Sequence, residues 1–294
     1  MAIFNMVWWG GWGDSTPNYL CFTAYTTNAT IKLVKYWNPT AVTLETSTDL
    51  ENWSTYTFWD TITLTNVLDK VYWRNTSETD TRFSIASWDY YYFAMTWTIS
   101  WSWDITTLLN KNWTNTLSGY CFRNLFENCS SLRKAPELPA TTLDSYCYNE
   151  MFDGCSNLVI PPELPAKTLS SSCYDSMFSL CSKLEIAPKL PATTTAYNCY
   201  RTMFWWCTSL KEIPMLPATT FSNGCYYSMF QWCTNIKIST TQTWEYQTVY
   251  RVPTTWTGSW WNTASLYNMF YGTWWTFTGS PSANTNYYTS NKVI

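Results

Sequence analysis

Apolar positions recur with a period of 26 residues between Cys121 and Ile236, and this period organises the chain. Each unit opens with a cysteine, has a phenylalanine five positions later, a second cysteine after three more, and a leucine or isoleucine after another three. The first cysteines are Cys121, Cys147, Cys173, Cys199 and Cys225; the second are Cys129, Cys155, Cys181, Cys207 and Cys233. A period in the twenties with Cys and Leu at constant offsets is typical of stacked repeats.

Within a unit the pattern predicts a short helix followed by an extended segment. Cys147, Met151 and Phe152 stand at i, i+4 and i+5, which places them on one face of a helix. The Pro-x-Leu-Pro run that follows at 162–165 forbids a continued helix and predicts an irregular or short-stranded segment. The sequence therefore predicts an α+β repeat, a leucine-rich-repeat solenoid of 26-residue units with N- and C-terminal caps.

Residues 19–97 show a different pattern of short runs rich in Thr, Val, Tyr, Ile and Phe, bounded by Asn, Asp or Pro. Such runs predict strands, and seven or eight of them in about 80 residues predict an antiparallel β-sandwich of immunoglobulin-like type. The predicted strands are 19–25, 31–36, 41–47, 54–58, 61–66, 70–75, 82–87 and 90–97.

The rest of the chain completes the predicted domain plan. We expect a flexible leader at 1–18, an N-terminal repeat cap at 98–119 and five leucine-rich repeats at 120–238. We expect 239–294 to hold an insertion and a degenerate C-terminal capping repeat, because SLYNMFYG at 265–272 restates the motif out of phase.

The units YCYNEMFDGCSNLVIPPELPAKTL and CYRTMFWWCTSLKEIPMLPATT resemble the BspA-like leucine-rich repeats of bacterial surface proteins. They are most similar to the variant in gut Bacteroidetes proteins and their phages, where a β-rich domain precedes the repeats. The resemblance implies non-catalytic binding to host surfaces or other cells, or a virion protein that contacts a bacterial surface. It supplies no catalytic residues.

Composition narrows the possible chemistry. The net charge is −3 and 13% of residues are charged, which indicates no nucleic-acid partner. Histidine is absent, which excludes Ser-His-Asp and Cys-His mechanisms and leaves only thiolates for an ordinary zinc site. The N-terminus lacks the features of a secretory signal, and no apolar run approaches the roughly 20 residues of a membrane span. We therefore expect no enzyme and no membrane insertion.

The 11 cysteines leave three interpretations open: reduced core thiols, disulfides or a metal ladder. A column repeated in phase through a stack faces inward, and buried cysteine behaves as a small hydrophobe. The spacing within a unit does not match a C-x₂-C metal knuckle, and an odd total leaves at least one thiol unpaired. Core thiols are the favoured interpretation, with no metal and no cofactor.

Tryptophan is unusually frequent, with 21 residues beside only 9 glycines. The slot before the second cysteine reads Asn128, Gly154, Leu180, Trp206 and Trp232. Asn and Gly tolerate a positive φ, whereas Trp does not do so readily. One hypothesis is that many of these tryptophans stand in for glycine, through a UGA codon read differently in different bacteria. The alternative is a natural aromatic-rich surface.

We expect a binding or adhesion protein that recognises a cell-surface protein or glycan through its repeats, at an extracellular surface or on a virion. Exposed aromatics such as Tyr90 to Phe93 are candidates for glycan stacking, and a solvated face is the favoured interpretation of the carboxylates Asp144, Glu150, Asp153 and Glu163. The alternative function is a structural phage fibre or decoration module that self-assembles. The candidate recognition surface comprises the charged residues that vary between units: Arg133, Lys134, Glu137, Glu163, Lys183, Glu185, Lys189, Lys211 and Glu212.

Overall fold

The computed structural model describes residues 19–37, 42–78, 80, 82–102, 104–110, 115–252, 265–273 and 279–294. Its first part consists of two antiparallel sheets that share one apolar core with the repeats. The strands are β1 Leu20–Ala24, β2 Ala29–Tyr36, β3 Leu44–Ser47, β4 Ser54–Thr55, β5 Ile62–Leu64, β6 Lys70–Asn75, β7 Tyr90–Thr96 and β8 Ile99–Ser102.

One sheet has the order β4-β3-β6-β1-β8 and the other the order β5-β2-β7. Alternate residues of β2, β6 and β7 are buried in the core, where the rings of Phe93 from β7 and Phe22 from β1 have centroids 5.0 Å apart. Seven of the eight predicted strands overlap an observed one. The strand predicted at 82–87 is wrong, because the backbone amide of Ser84 leaves the sheets and donates to the carbonyl of Cys121.

The predicted α+β leucine-rich-repeat solenoid is also wrong. Among the described residues, strands account for 26% and helical conformations for 2%, and the strands there form several small sheets and no closed barrel. Within the described residues the one complete helical element is a 3-10 turn, Ile105–Leu108, N-capped by the Asp104 side chain. The chain is therefore nearly all β-strand, turn and loop.

The segment predicted as a helix, 146–155, is a run of successive turns. Amides in this run alternate between two kinds of partner. Those of Asn149, Met151 and Asp153 donate to the carbonyl three residues earlier, which closes a turn within the unit. Those of Tyr148, Glu150, Phe152 and Gly154 instead donate to the next unit, to Cys173, Asp175, Met177 and Ser179, over 2.9 to 3.0 Å. An α-helix would need all these donors for itself, so stacking replaces the helix.

A left-handed residue recurs every four positions in these turns. Tyr146, Glu150 and Gly154 have φ values of 60, 55 and 73°. The same positions are left-handed in the other four units. We number the five units 1 to 5 by their first left-handed residues, which are Tyr120, Tyr146, Ser172, Asn198 and Gly224. The four-residue step still buries Cys147, Met151 and Phe152 together, so apolar spacing alone could not separate this backbone from a helix.

Aromatic rings and thiols fill the interior of the stack. Phe152 and Phe178 are fully buried and nearly parallel, with centroids 5.6 Å apart, and Tyr148 and Tyr174 stack similarly at 5.9 Å. In units 2 to 5 the second cysteine donates to a phenylalanine carbonyl 29 residues earlier, in unit 3 from Cys181 Sγ to Phe152 over 3.2 Å. In unit 1 Cys129 Sγ donates to the carbonyl of Phe93 over 2.8 Å. All 11 cysteines are buried and none is in a disulfide. The predicted place of the two cysteine columns in the core is confirmed by this burial.

Short parallel and antiparallel pairings complete the fold. β8 and the 3-10 turn cover unit 1, where Ile99 and Asp104 pair with Leu132 and Glu137. At the other end, residues 265–272 stack on unit 5, and Phe270 lies 5.6 Å from Phe230. The remaining strands are β9 Thr116–Leu117, β10 Thr142–Leu143, β11 Glu212–Ile213, β12 Ile238–Ser239, β13 Thr248–Arg251, β14 Asn286–Thr289 and β15 Lys292–Val293.

Candidate functional site

The extended segments that follow the turns pair with one another in parallel. Between units 1 and 2, the amides of Val159 and Ile160 donate to the Arg133 carbonyl over 2.9 and 3.1 Å, and the Ala135 amide donates to Ile160 over 3.0 Å. Units 3 and 4 repeat this arrangement, with Lys211 and Glu212 donating to Glu185 and Ala187 donating to Glu212. The extended face therefore has a regular hydrogen-bond pattern.

That pattern is interrupted at two boundaries: between units 4 and 5 the strand β15 pairs with β11, whereas between units 2 and 3 no described strand intervenes. No backbone hydrogen bond joins residues 158–169 to residues 184–195, both of which the structure describes in full. The turn side of the same two units remains bonded, and its rings keep their usual spacing. We call this interrupted boundary, residues 158–169 facing 184–195, the seam.

Two residues at the seam lack hydrogen-bond donors that their equivalents in other units supply. Pro161 occupies the position of Ala135 and Ala187, and it has no N–H to donate to the carbonyl of Ile186. Ala196 occupies the position of Ser170 and Ser222, whose hydroxyls each donate to a carbonyl of the preceding unit over 2.7 Å. At the sequence level, the seam is therefore marked by the absence of two hydrogen-bond donors.

An apolar groove of about 620 Å³ lies at the seam. Unit 2 lines it with Val159, Ile160 and the segment 161–165, and unit 3 lines it with Ile186, Ala187, Pro188, Lys189 and Pro191. Ile160 and Ile186 are 39% and 47% exposed. Exposed aliphatic side chains that converge on one concave surface are a feature of binding sites rather than of ordinary solvated loops.

Comparison of equivalent positions shows that this apolar surface is local. The slot that holds Ile160 in unit 2 and Ile186 in unit 3 holds Lys134 in unit 1 and Glu212 in unit 4. The backbone accepts a charged residue there, so stacking does not require the two isoleucines. Their presence on both sides of the seam coincides with the missing hydrogen bonds.

Ile294 also lines the groove. β15 pairs in parallel with β11, the Ile294 amide donates to the Ile213 carbonyl over 3.0 Å, and the Met215 amide donates to Ile294 over 2.6 Å. Ile294 is thereby held where it contributes to the groove lining.

The nine predicted recognition residues do not form one surface. Eight are exposed and Glu212 is half-buried. Only Glu163 and Lys189 line the groove, while Arg133 and Lys183 line a neighbouring polar cavity of about 210 Å³ with Thr98, Ser131, Asn157 and Val159. Glu185 forms an ion pair with Lys211 at 2.8 Å, and Glu212 forms one with Lys292 at 3.0 Å. Lys134 and Glu137 lie on unit 1, and they line neither the groove nor the polar cavity.

Sequence reasoning missed Val159, Ile160 and Ile186. The signal was present at one position of the repeat, which is Lys134, Ile160, Ile186 and Glu212 in units 1 to 4. There, isoleucine replaces a charged residue in two successive units. The doubled proline Pro161-Pro162 marked the same boundary.

The carboxylates on the turn side form a structural network. Arg123 binds Glu150 at 3.1 Å, and the Asn124 amide nitrogen donates to Glu127 and Glu150 over 2.7 and 3.1 Å. Burial raises the pKa of Glu127, and burial also raises the pKa of Asp153. Glu163 lies apart from them on the groove, so the structure does not gather the carboxylates considered from the sequence.

The aromatic segment Tyr90 to Phe93 divides between core and surface. Tyr91 and Phe93 are buried, whereas Tyr90 and Tyr92 are partly exposed and Tyr36 stacks on Tyr90 with centroids 4.8 Å apart. Burial, with a further contribution from the Glu127 carboxylate, raises the pKa of Tyr90 to about 12. Glycan stacking there stays a prediction.

The glycine-like slot before the second cysteine is left-handed in every unit. The φ values are 58° at Asn128, 60° at Leu180, 59° at Trp206 and 62° at Trp232, beside 73° at Gly154. Trp37, Trp59 and Trp97 are also left-handed. The slot therefore has the backbone expected for glycine, while the hypothesis that Trp stands in for Gly stays a prediction. The tryptophans at 8, 9, 12, 103, 260, 261, 274 and 275 lie outside the described residues.

Burial raises the pKa of the cysteine thiols in the stack. It raises the pKa of Cys121 and of Cys173 to about 12 and that of Cys225 to about 11. Among the described residues no group of three His, Cys, Asp or Glu side chains could hold a metal ion. None of the helices in that part of the chain has the length and apolar character to cross a membrane.

No family model, curated protein or solved structure matches this chain. The resemblance to BspA-like repeats accordingly stays a prediction carried by the residues alone.

Proposed function

We propose that the chain is a non-catalytic binding protein that recognises an apolar segment of a partner protein at the seam groove. The observation that carries this proposal is the pair of exposed isoleucines, Ile160 and Ile186, at a slot that is charged in the flanking units. A surface that is apolar only at one boundary, and rimmed there by Glu163 and Lys189, matches a protein epitope better than a glycan. We propose a cell surface or a virion as its setting.

The test is selection from a random dodecapeptide display library and, in parallel, exposure to a glycan array. We expect selected peptides rich in aliphatic and aromatic residues, and no glycan dependent on the groove. The decisive variant is Ile160→Lys with Ile186→Glu, which places the residue types of units 1 and 4 into the groove and should fold normally.

The variant should lose the selected peptides by at least about tenfold, since two buried aliphatic contacts are each worth about 1.5–3 kcal/mol. A matched control, Lys134→Glu, changes the same slot in unit 1 and should leave binding unchanged. Peptide binding that survives the double variant, or glycan binding that disappears with it, would contradict the proposal.

A further inference from the structure

On the basis of the proposed function, we propose that the seam accepts an extended peptide as an added parallel strand, paired with the free edge of unit 3. The inference goes beyond an apolar contact, because it assigns backbone hydrogen bonds to the partner and therefore a conformation to the ligand.

The free edge consists of three backbone groups. In unit 2 the equivalent groups, the amides of Val159 and Ile160 and the carbonyl of Ile160, all bond to unit 1. In unit 3 they are the amides of Glu185 and Ile186 and the carbonyl of Ile186. None of these three forms a hydrogen bond within the part of the chain that the structure describes. Since unit 3 keeps its stacking on the turn side, these groups face unit 2 and so face the seam.

The opposite wall leaves all three unpaired, since Pro161 has no N–H for the Ile186 carbonyl and the Val159 carbonyl, the equivalent of the Arg133 acceptor, accepts no backbone hydrogen bond from Glu185 or Ile186. Pro161, Pro162 and Pro165 have no N–H, so this part of unit 2 presents rings rather than donors. The groove therefore has one edge able to pair and one apolar wall. An extended peptide has both kinds of surface, with backbone groups toward one side and side chains above and below.

A peptide strand is the occupant that suits these groups, because an extended segment of unit 1 satisfies the equivalent three groups of unit 2. A peptide of about six residues, roughly 20 Å of extended chain, would pair with Glu185 and Ile186 and continue along the apolar lining of unit 3. The existing boundary between units 1 and 2 shows the same pairing formed by this chain itself, from Arg133 to Ile160.

The first probe is a synthetic peptide of residues 132–143, because Arg133 and Ala135 supply the acceptor and donor that unit 1 offers to unit 2. Its binding to the full chain can be followed by fluorescence anisotropy. The matched peptide has the same sequence but carries an N-methyl group on the backbone nitrogen of Ala135, which removes the donor to the Ile186 carbonyl. We expect about five- to tenfold weaker binding from the loss of one backbone hydrogen bond.

The second arm restores the missing donors in the protein. Pro161→Ala combined with Ala196→Ser gives unit 2 and unit 3 the residues found in equivalent positions, and should seal the seam. We expect this variant to unfold at higher denaturant concentration and to lose the peptide by at least about tenfold. Pro136→Ala, the control, exchanges a proline outside the groove and should leave peptide binding as in the unmodified chain.

Each outcome has a defined meaning. Failure of the unmodified chain to bind the 132–143 peptide would overturn strand pairing, as would equal binding of the N-methylated peptide. Either result leaves the apolar-groove proposal standing if library peptides still depend on Ile160 and Ile186. Retained binding by the sealed variant, with its stability raised, would also overturn the inference.

Discussion

Two tryptophans in the bends on either side of β7 provide a matched test of left-handed strain. Trp97 and Trp88 are 64% and 63% exposed, but only Trp97 has a positive φ, 65°. Replacing either residue by glycine removes a similar apolar contact and adds similar freedom to the unfolded chain, about 0.5–1 kcal/mol. These terms cancel in the comparison, and the left-handed penalty of about 1–2 kcal/mol remains.

We therefore expect Trp97→Gly to be more stable than Trp88→Gly by about 1–2 kcal/mol. The measurement is the urea midpoint at constant m-value, followed by fluorescence and circular dichroism so that two-state unfolding is checked. Trp97→Asn should fall between them, because asparagine tolerates the left-handed region better than other non-glycine residues.

Equal stabilities of the two glycine variants would refute the reasoning. The result also bears on the origin of the tryptophans, since five left-handed ones together imply a cost of roughly 5–10 kcal/mol, as large as the net stability of many domains. Intact mass measurement of protein from its natural source would then decide directly whether those positions are tryptophan or glycine.

Three further predictions follow from buried groups. Burial raises the pKa of Asp175 to about 6 although the nearby Arg201 lowers it, so ionisation of Asp175 costs stability as the pH rises from about 3.8 through 6. In urea titrations Asp175→Asn should be about 1–2 kcal/mol more stable than the unmodified chain at pH 7.5 and equally stable at pH 4. Burial raises the pKa of Cys173 to about 12 from 9.0, so stability should fall as pH rises above 9, and less steeply in Cys173→Ala; parallel slopes would contradict this. Phe178→Ala should cost about 3–5 kcal/mol by calorimetry, because its ring is fully buried between Phe152 and Phe204; a loss below about 1 kcal/mol would show that the stack collapses into the space.

Burial was predictable from the sequence, whereas backbone conformation in the repeats was not. The 26-residue period placed Cys147, Met151 and Phe152 in the core, and they are there. The helix prediction was wrong because turns with a four-residue step share the apolar spacing of a helix. The turns differ from a helix in the hydrogen-bond partner of every second backbone amide. That partner is a carbonyl of the next unit, so the sequence of one unit does not reveal it.

The groove was only partly accessible to sequence reasoning. Charge variation between units directed attention to residues such as Lys134 and Glu137, which line neither the groove nor the polar cavity described. The informative positions were those where charge gives way to isoleucine. Recognising Pro161 as a missing donor required knowing that Ala135 and Ala187 donate across the stack, which depends on the three-dimensional register.

The alternation of amide partners gives the stack an electrical direction. On the turn side of every unit the cross-unit N–H groups point toward the C-terminal neighbour, from Tyr148 to Cys173 and onward to the contact of Tyr226 with Ser265. Peptide dipoles aligned in this way add, so the C-terminal end becomes the positive pole and the N-terminal end the negative one.

The two ends are covered accordingly by opposite chemistry. Amides of Ser84 and Phe93 donate to carbonyls of unit 1, whereas the Gly279 carbonyl and the Ser280 hydroxyl accept from Phe270 and Asn268 at the far end. A donor surface begins the stack and an acceptor surface ends it. Neither terminal segment could therefore substitute for the other, and a chain assembled with its caps exchanged would face like poles at both ends.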